Sequence, residues 1–254
     1  AWPVDADSGD LPFPQLASPA AGDAVVQVTR TVQAGRYSVD AATPGGQRFA
    51  IGDGESSVFD QYIAAIDRAE RTIYIEDQAI ASPKIVGHLK AALERGVAVA
   101  FLVPGNAHPE YRAARKIPAT KPFFDLVTSL GEFDHFLLAG IASNAEAESY
   151  YDIYVHAKIM LIDDAWATIG STNVADRSFF GDTELNASFW HSPTARALRC
   201  ELLQEHLGTD TSGLDDVAAL ALMRERARQN QGRRERGERL EGLAFAIDPA
   251  KYGS

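Results

Sequence analysis

A histidine, a lysine and an aspartate stand at fixed spacing in Val155-His156-Ala157-Lys158-Ile159-Met160-Leu161-Ile162-Asp163, and Gly170-Ser171-Thr172-Asn173 follows six residues later. As a pattern this is H-x-K-x4-D, then G-S-x-N. At ordinary residue usage such a match arises by chance on the order of once in 10^8 starting points. The residue types suit phosphate chemistry. An imidazole can attack phosphorus or carry a proton near neutral pH. A lysine ammonium neutralises charge as it develops on non-bridging oxygens, and a serine hydroxyl and an asparagine amide can bond to them.

Strands should position these groups. With Tyr151 to Ile162 read as one strand, alternation puts His156 and Lys158 on one face and Asp163 on the other. A two-residue turn at Asp163-Asp164 then pairs Ile162 with Ala165, Lys158 with Ile169 and His156 with Ser171. Asp163 is expected to hold the turn and not to touch substrate. A working histidine needs a partner for its other ring nitrogen. Glu184, heading the next strand, is the first candidate, and Asp182 the second.

Helical and extended patterns alternate around this hairpin. Ala24 to Val32 reads as a strand and Gln33 to Ser57 as a loop with room for one short strand. Val58 to Ala69 has helical spacing, Thr72 to Glu76 is a strand, Pro83 to Arg95 a helix, and Val97 to Val103 a continuously apolar strand. A helix around Pro122 to Leu130 and a strand Phe133 to Leu138 follow, then an exposed loop from Ile141 to Ser149. Trp166 to Gly170 and Leu185 to Trp190 are strands, and Thr194 to Leu207 is an amphipathic helix closed by Gly208. This rhythm is that of an α/β fold with a mixed, largely buried sheet.

Composition narrows the function classes. A chain of 254 residues with 46% hydrophobic content can bury a proper core. No apolar run approaches the ~20 residues of a membrane-spanning helix, so the protein is expected to be soluble or peripheral, secreted or cytoplasmic. No basic n-region with an apolar core opens the sequence, so a signal peptide is expected to be either absent or already removed. The net charge of −11 argues against a protein that mainly grips nucleic acid. The single cysteine, Cys200, excludes an internal disulfide and reads as a buried inert thiol. His88, His108, His135, His191 and His206 show no metal-binding spacing, so neither metal nor cofactor is invoked. From Arg224 to Glu241 seven arginines face four glutamates. The favoured reading is a solvated, ion-paired helix, with anionic lipid contact as the alternative.

His156, Lys158 and Asp163 with Gly170, Ser171 and Asn173 resemble the HKD signature of the phospholipase D superfamily. Residues Asn173 to Ser178, Glu184-Leu185, Ile73-Tyr74-Ile75-Glu76-Asp77-Gln78 and Glu201 to Gly208 are similar to its phospholipid-cleaving branch. In two-motif members these features lie in the C-terminal half, and Val26 to Thr31 resembles the strand that opens it. The resemblance implies a phospholipase D-like α-β-α sandwich, with a lead-in over 1–23, a catalytic half-domain over 24–208 and a helical arginine-rich tail over 209–254. It also implies hydrolysis and transphosphatidylation of glycerophospholipids of the phosphatidylcholine type at a membrane surface, through a phosphohistidine. His156, Lys158, Asp163 and Glu184 would be the catalytic set; Ser171, Asn173 and Gln78 would bind substrate. One motif is half a site, so a complementary HKD half, from an N-terminal half, a second chain or a symmetric copy, is expected. Paired with an N-terminal half, His156 would be the general acid and base. The rivals are a homodimeric HKD phosphodiesterase or nuclease, a cardiolipin-synthase-like transferase, which the lack of transmembrane helices disfavours, and a non-catalytic partner-binding half-domain. One departure stands out: the family's E-N-Q-Y-F is here Glu76-Asp77-Gln78-Ala79-Ile80, without the aromatic.

Overall fold

The computed structural model describes residue 19 and residues 22–36, 51–144 and 149–254. The expected lead-in and most of the 33–57 loop fall outside the described residues. In chain order the elements begin with β1 (Val25–Val32), β2 (Glu55–Ser56), α1 (Ser57–Arg68), β3 (Thr72–Asp77), β4 (Ile80–Ala81), α2 (Pro83–Glu94) and β5 (Ala98–Leu102). Next come α3 (Pro109–Arg115), a 3-10 turn at Pro118–Thr120, α4 (Lys121–Leu130), β6 (Phe136–Asn144), β7 (Tyr150–Ile153), β8 (Lys158–Ile162) and β9 (Trp166–Gly170). The chain closes with β10 (Val174–Ala175), α5 (Asp176–Phe180), β11 (Glu184–Trp190), α6 (Ser192–Leu207), α7 (Asp216–Glu235) and β12 (Ala244–Ala246).

Among the described residues the sheet runs β12-β6-β5-β3-β8-β9-β11-β1-β2, with β7 paired to β6. β3, β5 and β6 are parallel, and β8, β9, β11 and β1 are antiparallel neighbours. Strand alternation divides the core into two layers. Ile73, Ile75, Val99, Phe101 and Met160 meet Tyr62, Ile66, Ile85 and Leu89 of α1 and α2. Tyr74, Leu102, Leu137 and Leu161 meet Leu203 and Leu207 of α6 and Leu220 and Met223 of α7. The fold is the expected α-β-α sandwich with a mixed, largely buried sheet.

Three expectations change. Ile141 to Ser149 is not an exposed loop: its first residues complete β6, buried through Ala142, while 145–148 lie outside the described residues. The reason is pairing on both sides, by β12 at Ala139–Ile141 and by β7 at Ile141–Asn144. Small residues permit the close packing, since a Cβ on Gly140 would meet the Phe245 ring at 2.7 Å. Tyr151 to Ile162 is not one strand. Its first part belongs to β7 beside β6, its last to β8 between β3 and β9, and 154–157 crosses between them. Cys200 is half-buried, and the deeply buried residue of that turn of α6 is Arg199.

The hairpin turn is also one residue longer than expected. Ile162 pairs with Trp166 and Ile159 with Ile169, leaving Asp163, Asp164 and Ala165 in the turn. Asp163 and Asp164 take left-handed φ values of 56° and 51°, a conformation that short polar side chains tolerate. Their carboxylates are engaged elsewhere. Arg199 grips Asp164 through two bonds of 2.7 and 2.8 Å, fastening α6 to the turn.

The arginine-rich tail is packed on the sheet. Ala219, Leu220, Met223 and Ala227 of α7 are buried, and β12 pairs with β6. Its arginines form ion pairs, Arg226 with Glu241 at 3.1 Å, Arg234 with Asp152 at 2.8 Å and Arg236 with Glu238 at 2.8 Å. At the other end of the sheet the usual polarity is reversed. Thr168, Asn186 and Ser188 face inward, where Gln61 and Tyr62 of α1 bond to this ladder, while Val26, Val28, Ile169 and Leu185 are exposed.

Candidate active site

His156 and Lys158 stand where the 154–157 crossing enters β8, at the carboxyl end of β3. In open α/β sheets ligands gather at the carboxyl ends of parallel strands. Lys158 is paired with Asp77, the last residue of β3. Only 8% of it is exposed, and its ammonium donates to the His156 carbonyl at 2.8 Å and to Gln78 Oε1 at 3.3 Å. Burial lowers the Lys158 pKa, and the charges of Asp77 and Glu184 oppose that shift. The His156 side chain is exposed. Among the described residues its ring nitrogens have no hydrogen-bond partner, and its neighbour is the Tyr154 ring at 6.1 Å.

Ser171 and Glu184 form a pair of their own. The Ser171 hydroxyl donates to the Glu184 carboxylate at 2.5 Å and accepts the Leu185 N–H at 3.1 Å. This overturns the expected pairing of His156 with Ser171. With the register moved by one and His156 outside the strand, Ser171, just past β9, bonds instead to Leu185 of β11. Glu184 is bonded to Ser171 and not to the imidazole, and Asp182 is engaged by Arg177 at 3.2 Å. Glu184 nevertheless lies close enough for its charge to act on Lys158.

Asn173 begins the turn into β10, with Oδ1 buried and unpartnered. It lines a cavity of about 550 Å³ together with Gln78, Ala79, Tyr111, Phe123 and Phe124. Asp163 is at the opposite end of β8. Its Oδ1 accepts the Arg71 and Thr72 N–H groups at 2.8 and 2.7 Å, and its Oδ2 accepts the Glu70 N–H at 2.9 Å. The structure therefore brings together His156, Lys158, Gln78 and Asn173, with Ser171 and Glu184 alongside, and places Asp163 as a clamp on the start of β3.

Two supporting residues were missed by sequence reasoning. Asp77 is buried beside Lys158, accepting the Ala79 N–H at 2.8 Å and the Val174 N–H at 3.0 Å. Asn186 is fully buried; its Oδ1 accepts the Thr172 N–H at 3.3 Å. A signal for it existed: Asn186 and Ser188 alternate with apolar residues, which marks a polar strand face. Asn186 also explains Gly170. A Cβ there would lie 2.1 Å from Asn186 Oδ1 and 2.4 Å from the Leu185 carbonyl. Gly170→Ala should force β9 from β11, displace Ser171 and Asn173, and lower turnover about 10–100-fold, of the size expected for an ångström-scale misplacement. Steady-state kinetics on the variant, beside its thermal melt, checks this. Wild-type turnover would show that the strands can part without cost.

Comparison with known proteins follows the same lines. Residues 62–206 match the family described as "Cardiolipin synthase, PLD-like domain". Phospholipase D zeta 1 of Arabidopsis thaliana is 27% identical over 220 residues, covering 64% of this chain and 20% of that protein. A cardiolipin synthase of Geobacillus sp. (strain WCH70) is 30% identical over 145 residues, covering 57% of this chain and 26% of that protein. The chain thus spans about a fifth to a quarter of these relatives. The structure of Nuc from Salmonella typhimurium, a phospholipase D family member, aligns with a TM-score of 0.45 and 19% identity, over 69% of this chain and 90% of that one. With the family match extending over more than half its length and the H-x-K-x4-D motif spanning β8, its histidine and lysine at one end and its aspartate at the other, the chain belongs to the phospholipase D superfamily.

Proposed function

We propose that the chain is one catalytic half of a phosphodiesterase that hydrolyses and transphosphatidylates glycerophospholipids of the phosphatidylcholine type. The observation that carries this reading is Gln78, which accepts from the Lys158 ammonium and lines, together with Asn173, a cavity with an aromatic wall. A phosphodiester held by those groups finds, in about 550 Å³ walled by Tyr111, Phe123 and Phe124, room for an apolar substituent. A polynucleotide would call for a basic surface, which a net charge of −11 disfavours.

In this mechanism Lys158 neutralises the non-bridging oxygens and Asn173 donates to them. A histidine from a complementary half attacks phosphorus, and the phosphorus–oxygen bond to the leaving alcohol breaks as His156 gives that oxygen its proton. His156 then takes a proton from water or an acceptor alcohol, whose oxygen displaces the phosphohistidine nitrogen. Asp163 serves by fixing the hairpin, Glu184 by its charge near Lys158, and Ser171 by holding Glu184. Residues 24–208 form the catalytic half-domain in this reading, with 209–254 as its packed tail. The exposed apolar strip of Val26, Val28, Ile169 and Leu185, beside Glu184, supports assembly with a complementary half. Among the described residues no helix is long and apolar enough to cross a membrane, so lipid would be met at a surface.

Choline release from phosphatidylcholine tests the proposal. With a complementary half present, ethanol should divert product to phosphatidylethanol. DNA cleavage without lipid turnover would favour the nuclease reading and overturn this one.

A further inference from the structure

Asp77 lies at the centre of the candidate site, yet the chemistry above assigns it no role. It ends β3 opposite Lys158, and 1% of its surface is exposed. Its two oxygens take backbone N–H groups from two different segments. One is Ala79, in the turn that carries Gln78; the other is Val174, directly after Asn173. Gln78 accepts from Lys158 in turn. A single buried carboxylate thus joins the segments bearing Gln78, Asn173 and Lys158. Buried carboxylates need such donors, and a carboxylate that lost one would leave a buried N–H unsatisfied.

We infer that Asp77 is the positioning residue of the phosphate cup, clamping the Gln78 turn to the Asn173 segment and acting as the resident counter-charge to Lys158. This rests on the reading of the cup as a phosphodiester site. The groups that act on it electrostatically, or it on them, are Lys158 of β8, Glu184 of β11, Tyr62 of α1 and Tyr252 near the C-terminus. His156, two residues from Lys158 in the chain, is the remaining titratable group of the cup. Burial pushes the Asp77 carboxyl well above its usual range, against the two N–H donors and the Lys158 ammonium.

The consequence is a pH-dependent anion site. A carboxylate beside the cup repels a phosphodiester, so protonating Asp77 as pH falls favours binding. Raising pH through the lowered range of Lys158 removes the cation and weakens binding. Replacing Asp77 with asparagine lessens the acid-side change, and it also removes an anion that keeps Lys158 protonated.

The test is binding of dimethyl phosphate, a monoanion throughout, to the whole chain from pH 5 to 9, followed by amide NMR signals of Gln78, Lys158 and Asn173. Wild-type affinity should rise on the acid side. In Asp77→Asn that rise should shrink, the alkaline limb should move to lower pH, and the Ala79 and Val174 amide signals should shift. A measurement on the wild type needs no variant: the midpoint of the Asp77 carboxyl carbon should move up when dimethyl phosphate saturates the site. An unmoved midpoint, or a variant profile matching wild type while binding persists, overturns the role of Asp77. No binding at any pH overturns the cup itself and the inference with it.

Discussion

His156→Ala is expected to lower phosphodiester turnover by about 10^3-fold or more in the assembled enzyme while leaving the fold intact. The catalytic loss follows from removing a group that gives the leaving oxygen its proton and later deprotonates the incoming one, each a contribution of about 10²–10⁴-fold. The structural indifference follows from the position of the ring. It is exposed, without a hydrogen-bond partner among the described residues and with Tyr154 as its ring neighbour. Surface substitutions of this kind change stability by about 0.5 kcal/mol or less. Single-turnover assays of lipid cleavage and a denaturant melt separate the two effects. Turnover that survives the substitution would move the chemistry to another residue.

Asp163→Ala should show the reverse, a large loss of stability with catalysis per folded molecule nearly unchanged. Its carboxylate accepts three backbone N–H groups, from Glu70, Arg71 and Thr72. Losing these partly exposed bonds costs about 2–4 kcal/mol, and alanine at a φ of 56° adds about 1 kcal/mol of strain. The damage would spread, because the start of β3 also holds α7: Thr72 donates to the buried Asp216 at 2.8 Å. Asp163→Asn keeps one acceptor oxygen and tolerates the turn, so it should lose less, about 1–2 kcal/mol. Urea denaturation of the three proteins gives the order. Turnover of the folded fraction should stay within about twofold, since the length of β8, about 16 Å at ~3.3 Å per residue, separates Asp163 from Lys158. A catalytic loss without a melting shift would place Asp163 in the chemistry.

The two substitutions divide the H-x-K-x4-D signature into a chemical end and a structural end. The histidine and lysine stand where the chain crosses into β8, and the aspartate stands where β8 turns back. The fixed spacing is the length of one sheet-spanning strand.

Much of this was legible in the residues themselves. The α/β rhythm follows from periodicity, and motif spacing singles out His156, Lys158 and Asn173, while the three-layer class comes from the family resemblance. Periodicity and spacing are local properties, repeated within a few residues of each other. Tertiary structure alone decided which neighbour each strand would take. Periodicity marks Tyr151 to Ile162 as extended, but it cannot say that β7 lies beside β6 and β8 beside β3, because that choice depends on packing between distant segments. The same holds for the three-residue turn, where left-handed Asp163 is held by backbone groups more than ninety residues away in sequence and Asp164 by the Arg199 side chain. It holds for Glu184, which strand order could bring near the site but which the actual register gives to Ser171. Asp77 is the clearest case. In sequence it is one acid in a strand, and only burial between the Gln78 turn, the Asn173 segment and Lys158 makes it part of the site.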